Sequence, residues 1–438
     1  MSYLFLRPLR TRRLCAATLA CVCALLVASS VSAQNLTLAE AQRLALQRSR
    51  QLSGADFAID AARQLAVAAG QLPDPVIKAG IDNLPVSGAD RYNVGSDFMT
   101  MRRIGLSQEL TAADKRRLRA QSYELLAEKE SAAKDATAAA IERDTALAWL
   151  DAHFAREMAN VVSEQLAQAR DAVSAAEGAY RAGRGSQSDV FAARSAVLLV
   201  QDRASDAERR VRSAATMLSR WTGTDATPLA HLPDLDSIAL DPAALGSQLA
   251  HHPEIAVLAR QVAVARTEVK LAEANRSADW SVEVAFQQRG SAYSNMVSFG
   301  VSIPLQWNRK DRQDRELAAK LAASGQAQAD REEALRAHEA ETRSMILEWE
   351  NNRERYKRYQ RELLPLENER VDATLAAYRG GKASLADVLT ARRGQTDTRL
   401  QVIQLHADVA RLWAQLNFLL PTTGTGVHAA AISSRDIK

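Results

Sequence analysis

Ala179-Tyr180-Arg181-Ala182-Gly183-Arg184-Gly185-Ser186-Gln187-Ser188-Asp189-Val190-Phe191-Ala192-Ala193-Arg194 returns 198 positions later as Ala377-Tyr378-Arg379-Gly380-Gly381-Lys382-Ala383-Ser384-Leu385-Ala386-Asp387-Val388-Leu389-Thr390-Ala391-Arg392. Tyr, Gly, Ser, Asp, Val, Ala and Arg recur at matching places with no gap. Such agreement marks an internal duplication. Gly183 and Gly381 permit the left-handed backbone that ends one helix. Ser186 and Ser384 are placed to cap the next, with Asp189 and Asp387 three residues on to complete a capping box. Each copy is predicted to be a helix–turn–helix tip.

Outward from the tips, the chain reads as long helix. From about Ala112 to Ala182 there is no proline and one internal glycine, Gly178. A helix of that length spans roughly 100 Å. A returning helix runs from Ser186 to about Trp221. In the second half the helix runs from about Lys310 to Arg379, with Pro365 expected to kink or break it, and returns to Leu420. Aromatics make up only 5% of the chain, which suits closely packed Ala-rich helices better than a large globular core.

Further out, each half carries two strand-like segments: Val76–Ile81 and Ile104–Leu110, then Trp280–Gln287 and Val297–Leu305. A polar loop, Asn83 to Asp97, separates the first two. Gly105-Leu106-Ser107-Gln108-Glu109-Leu110 matches Gly300-Val301-Ser302-Ile303-Pro304-Leu305 at an offset of 195. Ahead of the strands, Thr37 and Glu40 open a helix predicted to continue to about Gly70, stopped by Leu72-Pro73-Asp74-Pro75. Its counterpart opens at Asp241-Pro242, is interrupted at His252-Pro253 and ends near Arg276.

The amino terminus reads as a secretory signal over residues 1–33. Arg7, Arg10, Arg12 and Arg13 precede an apolar run from Leu14 to Ala28, and Val31-Ser32-Ala33 is a small-residue cleavage site. An apolar run of about 15 residues is short for a membrane span. Cleavage after Ala33 removes four arginines and no acid, so the formal charge of +4 falls to zero. It also removes Cys15, Cys21 and Cys23, all the cysteines of the chain. The mature chain then has no disulfide and no cysteine metal site. The boundaries that follow are 1–33 signal, 34–225 first repeat (strands about 76–110, tip about 180–189), 226–246 linker, 247–421 second repeat (strands about 280–305, tip about 378–387) and 422–438 a disordered tail.

In the strands, Val297, Phe299, Val301 and Ile303 alternate with Ser298, Gly300 and Ser302, and Val282, Val284 and Phe286 alternate with Glu283, Ala285 and Gln287. The pattern suits a half-buried soluble sheet or a membrane barrel strand. The export signal and the lack of a membrane helix favour the barrel. Two hairpins give four strands, too few to close, and open edges are not tolerated in lipid. Copies must therefore pool strands; three chains give twelve.

These features together resemble the outer-membrane efflux protein family typified by TolC. The resemblance rests on Leu36-Thr37-Leu38-Ala39-Glu40-Ala41, on the two tips, on the Gly-x-Ser-x-x-Leu strand ends and on the whole-length duplication, and it covers residues 36 to about 420. Leu72-Pro73-Asp74-Pro75, Asp82-Asn83-Leu84-Pro85, Phe98-Met99-Thr100-Met101-Arg102-Arg103-Ile104-Gly105 and Lys115-Arg116-Arg117 look like its heavy-metal (CzcC- and CusC-like) branch. The resemblance implies a mainly α protein with a small β part. It would form a homotrimer whose long α-helical coiled-coil barrel continues into a shared 12-stranded transmembrane β-barrel in outer-membrane lipid. Its open end would meet a periplasmic adaptor (membrane fusion protein) and an inner-membrane RND pump of a Gram-negative bacterium. The chain differs from the family in having Ser49-Arg50 and His252-Pro253 where Asn-Pro is usual, and Ala383 beside Lys382 where an arginine is usual.

In such a trimer Asp189 and Asp387 would form carboxylate rings at the narrow end, favouring cations; they also suit plain helix caps. Tyr180 and Tyr378 would pack across the tip as part of its closure, or simply cover helix ends. Gly183, Arg184, Gly381 and Lys382 would face the adaptor, as the resemblance implies. None of the seven histidines forms a convincing ligand cluster along the sequence, and adjacent His251 and His252 point apart on a helix, so no metal site and no cofactor are expected. Nucleotide-binding and hydrolase motifs are missing, which excludes the common enzyme classes. Basic clusters lack interleaved aromatics and do not suit nucleic acid. The expected function is a passive exit duct for heavy-metal cations. The alternatives are the same duct carrying drugs, solvents or polypeptides, and a soluble periplasmic coiled-coil scaffold or adaptor.

Overall fold

The computed structural model describes residues 35–224 and 228–419. The signal and cleavage point expected over 1–33, with its cysteines, and the tail expected over 422–438 lie outside the described residues.

In chain order the elements are α1 (Leu38–Arg48), α2 (Arg50–Ala69), β1 (Val76–Asp82), β2 (Met101–Leu110), α3 (Ala113–Arg181) and α4 (Gln187–Thr222). There follow α5 (Leu245–Leu249), α6 (Pro253–Ala274), β3 (Trp280–Gln288), β4 (Met296–Ser302), α7 (Gln313–Arg358), a π-helical turn (Tyr359–Leu363), α8 (Leu364–Arg379) and α9 (Leu385–Asn417). At 69 residues, α3 is a single uninterrupted helix.

Three expectations need correction. The first helix is not continuous to Gly70. It breaks at Ser49, whose backbone is extended and whose hydroxyl accepts the Leu52 amide at 3.3 Å. The second-half helix begins at Leu245, not at Asp241, because Asp241 closes a local turn by accepting the Ala243 amide at 2.9 Å. Strand β4 ends at Ser302 rather than Leu305, since Pro304 has no amide for a ladder. The disturbance expected at Pro365 is present: α7 ends at Arg358 and α8 starts at Leu364, with a π-helical turn between them. The turn before the proline widens, and the Leu364 amide bonds Tyr359 O, five residues back. The wider turn relieves the clash of the proline ring with the preceding turn.

The four strands form one antiparallel sheet in the order β1-β2-β3-β4. Pairing sets Ile77 against Leu106, Leu106 against Val284 and Val284 against Phe299, so one face collects the apolar residues. The other face carries Lys78, Gly105, Glu283, Ala285, Gly300 and Ser302. Gly105 is required there, because a Cβ at that position would come within 2.9 Å of Ala285 Cβ.

The chain divides into two compact units. The first comprises 35–48, Thr145–Leu235 and Arg358–Ala407. Its interior is helix packed on helix through small residues: Val162, Ala169 and Val200 form one buried cluster, with Leu166, Val197 and Leu400 around it. Trp149 is fully buried and donates its indole N–H to Leu36 O at 2.9 Å, while Leu36 bridges to Leu229. Burying one such large side chain contributes on the order of 2–3 kcal/mol.

The second unit comprises Ser49–Asp144, Asp236–Lys357 and 408–419. It holds the sheet, and Ile59 and Ala62 of α2 pack on Ala127 of α3. Where α3 meets the sheet, Lys115 is buried and donates to Ser277 O at 2.6 Å and to Asp279 Oδ2 at 2.9 Å. Asp279 also accepts the Ala112 amide at 3.0 Å. Arg116 of the same basic triplet donates to Gly70 O, and Arg117 pairs with Asp114 at 2.8 Å. These cations therefore serve the helix–sheet junction. Among the described residues no helix is long and apolar enough to cross a membrane.

Candidate functional site

The two tips have nearly superimposable backbones. Gly183 and Gly381 both have φ of +70°. In the first tip the Gly183 amide bonds Tyr180 O at 3.0 Å and the Arg184 amide bonds Ala179 O at 2.9 Å. In the second the Gly381 amide bonds Tyr378 O at 3.0 Å and the Lys382 amide bonds Ala377 O at 2.8 Å. Both are Schellman endings, satisfying the last carbonyls of the incoming helix.

The outgoing helices start alike. Ser186 Oγ accepts the Asp189 amide at 3.1 Å, and Asp189 Oδ2 accepts the Ser186 amide at 2.9 Å and hydroxyl at 2.7 Å. The same three bonds join Ser384 and Asp387 at 3.2, 2.9 and 2.7 Å. The Ser186 amide and hydroxyl hold the Asp189 carboxyl below its usual range, and the Ser384 hydroxyl and amide do so for Asp387. Both carboxylates therefore stay charged at neutral pH, with one oxygen of each, Oδ2, committed to the cap.

Side chains distinguish the tips. Tyr378 packs against a buried cluster of Ala176, Val190, Ala193 and Leu385, with Val173 and Leu389 alongside. Tyr180 is 49% exposed and outside that cluster. Within the chain, Leu385 and Tyr378 of the second tip pack on the Ala176–Val190–Ala193 face of the first. Gly183, Arg184, Gly381 and Lys382 are all exposed, with no side-chain partner fixing the two cations in the tip turns.

The sheet, in the second unit, is inverted relative to a soluble one. Its apolar face, with Ile77, Ile104, Leu106, Val284, Val297 and Val301, is exposed, and Phe299 reaches 80%. On the opposite face Glu283 bridges Lys78, at 2.7 Å, and Arg103. Exposed aromatics mark both ends: Trp280 and Trp307 on the helix side, Tyr92, Phe98 and Tyr293 at the hairpin loops. At about 3.4 Å per residue, the ten-residue β2 is roughly 34 Å long and the seven-residue β1 and β4 are roughly 24 Å long.

A third grouping, also in the second unit, escaped the reading of sequence spacing. His252 and Glu254 at the start of α6 meet His338 in the middle of α7. His252 Nδ1 lies 3.2 Å from His338 Nε2, and His338 Nε2 lies 3.3 Å from Glu254 Oε2. Burial, and then the neighbouring His338, push the His252 pKa down to about 4, so the ring is neutral. His252 also caps α6 by accepting the Glu254 amide at 3.3 Å, the role Ser49 plays for α2. The only advance signal was His252-Pro253 standing where a cap belongs; 86 residues separate the two histidines.

No curated protein sequence matches the chain. Solved structures do. The outer-membrane channel OprN is 19% identical with a TM-score of 0.73, covering 88% of this chain and 89% of its own. The CmeC outer membrane channel of Campylobacter jejuni is 12% identical with a TM-score of 0.74, covering 90% and 88%. CusC, described in the context of transmembrane channel formation, is 17% identical with a TM-score of 0.73, covering 89% and 92%. At these identities the likeness establishes the fold. The profile of the outer membrane efflux protein family matches residues 41–224 and again 244–421. Spanning most of the chain in two consecutive stretches, that match makes it a member of the outer membrane efflux protein family, whose proteins are channels and not enzymes.

Proposed function

We propose that the chain is the outer-membrane channel of a tripartite RND-type efflux system, a passive duct for heavy-metal cations across the periplasm and outer membrane. One observation supports the channel reading: the sheet exposes an apolar face and gathers Lys78, Glu283 and Arg103 on the other, with β1 and β4 left as free edges. Water does not favour that arrangement, and lipid does. Free edges in lipid are closed by pooling strands, so three chains form a twelve-stranded barrel. Residues 34–225 and 247–421 are two repeats joined by 226–246, and export follows cleavage after Ala33. Energy comes from the inner-membrane pump through a periplasmic adaptor that contacts Gly183, Arg184, Gly381 and Lys382.

At the tips, Asp189 and Asp387 recur three times each around the periplasmic opening and favour cations. The heavy-metal cargo is supported by the resemblance of residues 72–75, 82–85, 98–105 and 115–117 to the metal-exporting branch.

The deciding experiment is the mass of the mature protein extracted in detergent, by light scattering corrected for bound detergent. A three-chain particle from the outer-membrane fraction is expected; a soluble monomer needing no detergent would overturn the barrel. For the tips, Asp189→Asn with Asp387→Asn is expected to reduce cation selectivity in planar bilayers. For the cargo, growth of an efflux-deficient host carrying the channel with its pump and adaptor is expected to improve on copper, cobalt or zinc. Improvement only on organic toxicants would reassign the cargo.

A further inference from the structure

We propose that His252, His338 and Glu254 form a binding site for one borderline divalent cation, of the Zn2+, Co2+, Ni2+ and Cu2+ class, that ties the start of α6 to the middle of α7. The site stands on its own residues, whatever the channel carries.

The spacing fits such an ion. Tetrahedral coordination with bonds of about 2.0–2.1 Å sets neighbouring ligand atoms roughly 3.3 Å apart. The observed separations are 3.2 Å for His252 Nδ1 to His338 Nε2 and 3.3 Å for His338 Nε2 to Glu254 Oε2. All three ligand atoms lie within 4.8 Å of one another. Two imidazoles and one carboxylate form the donor set that selects zinc-like ions over calcium or magnesium, which prefer oxygen alone.

The surroundings are built for the same purpose. His252 is only 6% exposed, and its ring also donates to the backbone carbonyl of Leu419. The other nitrogen of His338, Nδ1, lies 3.8 Å from Glu341 Oε2, near enough for attraction but too far for a direct hydrogen bond. Ligating histidines characteristically hold their second nitrogen against a carbonyl or carboxylate, which fixes the ring and its tautomer. Glu254 is exposed, which gives the ion a path from solvent and leaves a fourth position for water. Three protein ligands and an open position make an exchangeable site rather than a closed structural one.

The competing arrangement leaves His252 Nδ1 as an acceptor, from the neutral His338 ring at 3.2 Å and from the Glu254 amide at 3.3 Å, and an ion on Nδ1 would replace both contacts. The test separates the two. Untagged full-length protein in detergent is stripped with a chelator, dialysed and titrated with Co2+, followed by calorimetry and by the visible absorption of Co2+. We expect one Co2+ per chain, the intense bands of a tetrahedral ion, and displacement by Zn2+. His338→Gln and Glu254→Gln are each expected to weaken binding at least tenfold. Glu341→Gln, which removes a carboxylate 3.8 Å from the His338 ring, should weaken it less than either ligand variant does. Metal-free melting of each variant guards against misfolding, and Glu254→Gln on an exposed side chain retains the test if changes at the histidines unfold the protein. Absence of saturable binding, or equal affinity in wild type, His338→Gln and Glu254→Gln, would overturn the site. The trimer measurement above is independent of this result in both directions.

Discussion

The two tips share a backbone and differ in what they touch. Gly183 and Gly381 have the same φ, and the serine–aspartate caps agree to within 0.1 Å. Yet Leu385 and Tyr378 of the second tip sit on the Ala176–Val190–Ala193 face of the first, while Gln187 and Tyr180, their counterparts, face outward. Phe191 is exposed where its counterpart Leu389 is packed. Local geometry thus follows the turn residues and recurs at both tips. Packing depends on neighbours and diverges.

The sharpest way to break this comparison is at the packed position. Leu385→Ala should cost about 2–5 kcal/mol of local stability, whereas Gln187→Ala should change it by less than about 0.5 kcal/mol. Amide-exchange protection across Val190–Ala193 reads the difference; equal losses would mean the tips are not distinguished by packing. The glycines should restore the symmetry. Gly183→Ala and Gly381→Ala each force a side chain into left-handed backbone, with an expected cost of about 1 kcal/mol at either tip.

Phe191→Ser should leave the metal-free fold intact and lower the trimer fraction in detergent, if the exposed face of α4 meets a neighbouring copy. Light scattering across a dilution series checks it, and unchanged association would make that face a free surface.

The smallest effect is on the caps. Ser186→Ala and Ser384→Ala should each cost about 1 kcal/mol or less. Because Asp189 and Asp387 have depressed pKa values in the fold, their contribution is present above the ordinary carboxylate range and is lost as pH falls through the lower folded value. Protection factors at the first turns of α4 and α9, which correct for the intrinsic pH dependence of exchange, should fall together in wild type between pH 7 and about 2 and depend less on pH in the serine variants, which keep the backbone amide but lose the hydroxyl.

What the sequence disclosed follows the same division. Glycine, proline and capping residues mark helix ends by local conformational rules, so both tips, the length of α3 and all four strands could be located in advance. The break at Ser49 escaped notice because a serine cap needs neither glycine nor proline. Pro365 announced a disturbance but not its form, since widening to a π turn depends on how the surrounding helices hold that stretch. The unequal tyrosines and the meeting of His252 with His338 depend on contacts between residues far apart in the chain, which no local spacing encodes.

The open edges of the sheet have a genetic consequence. In the three-chain barrel proposed above, a chain would complete its sheet only with strands from two others and would share the fate of its partners. A variant that folds its helices but spoils β1 or β4 would be built into rings and disable them. With normal and spoiled copies in equal amounts, only roughly one ring in eight would be wholly normal. Such an allele would be dominant, whereas loss of the gene from one of two copies would merely halve the supply.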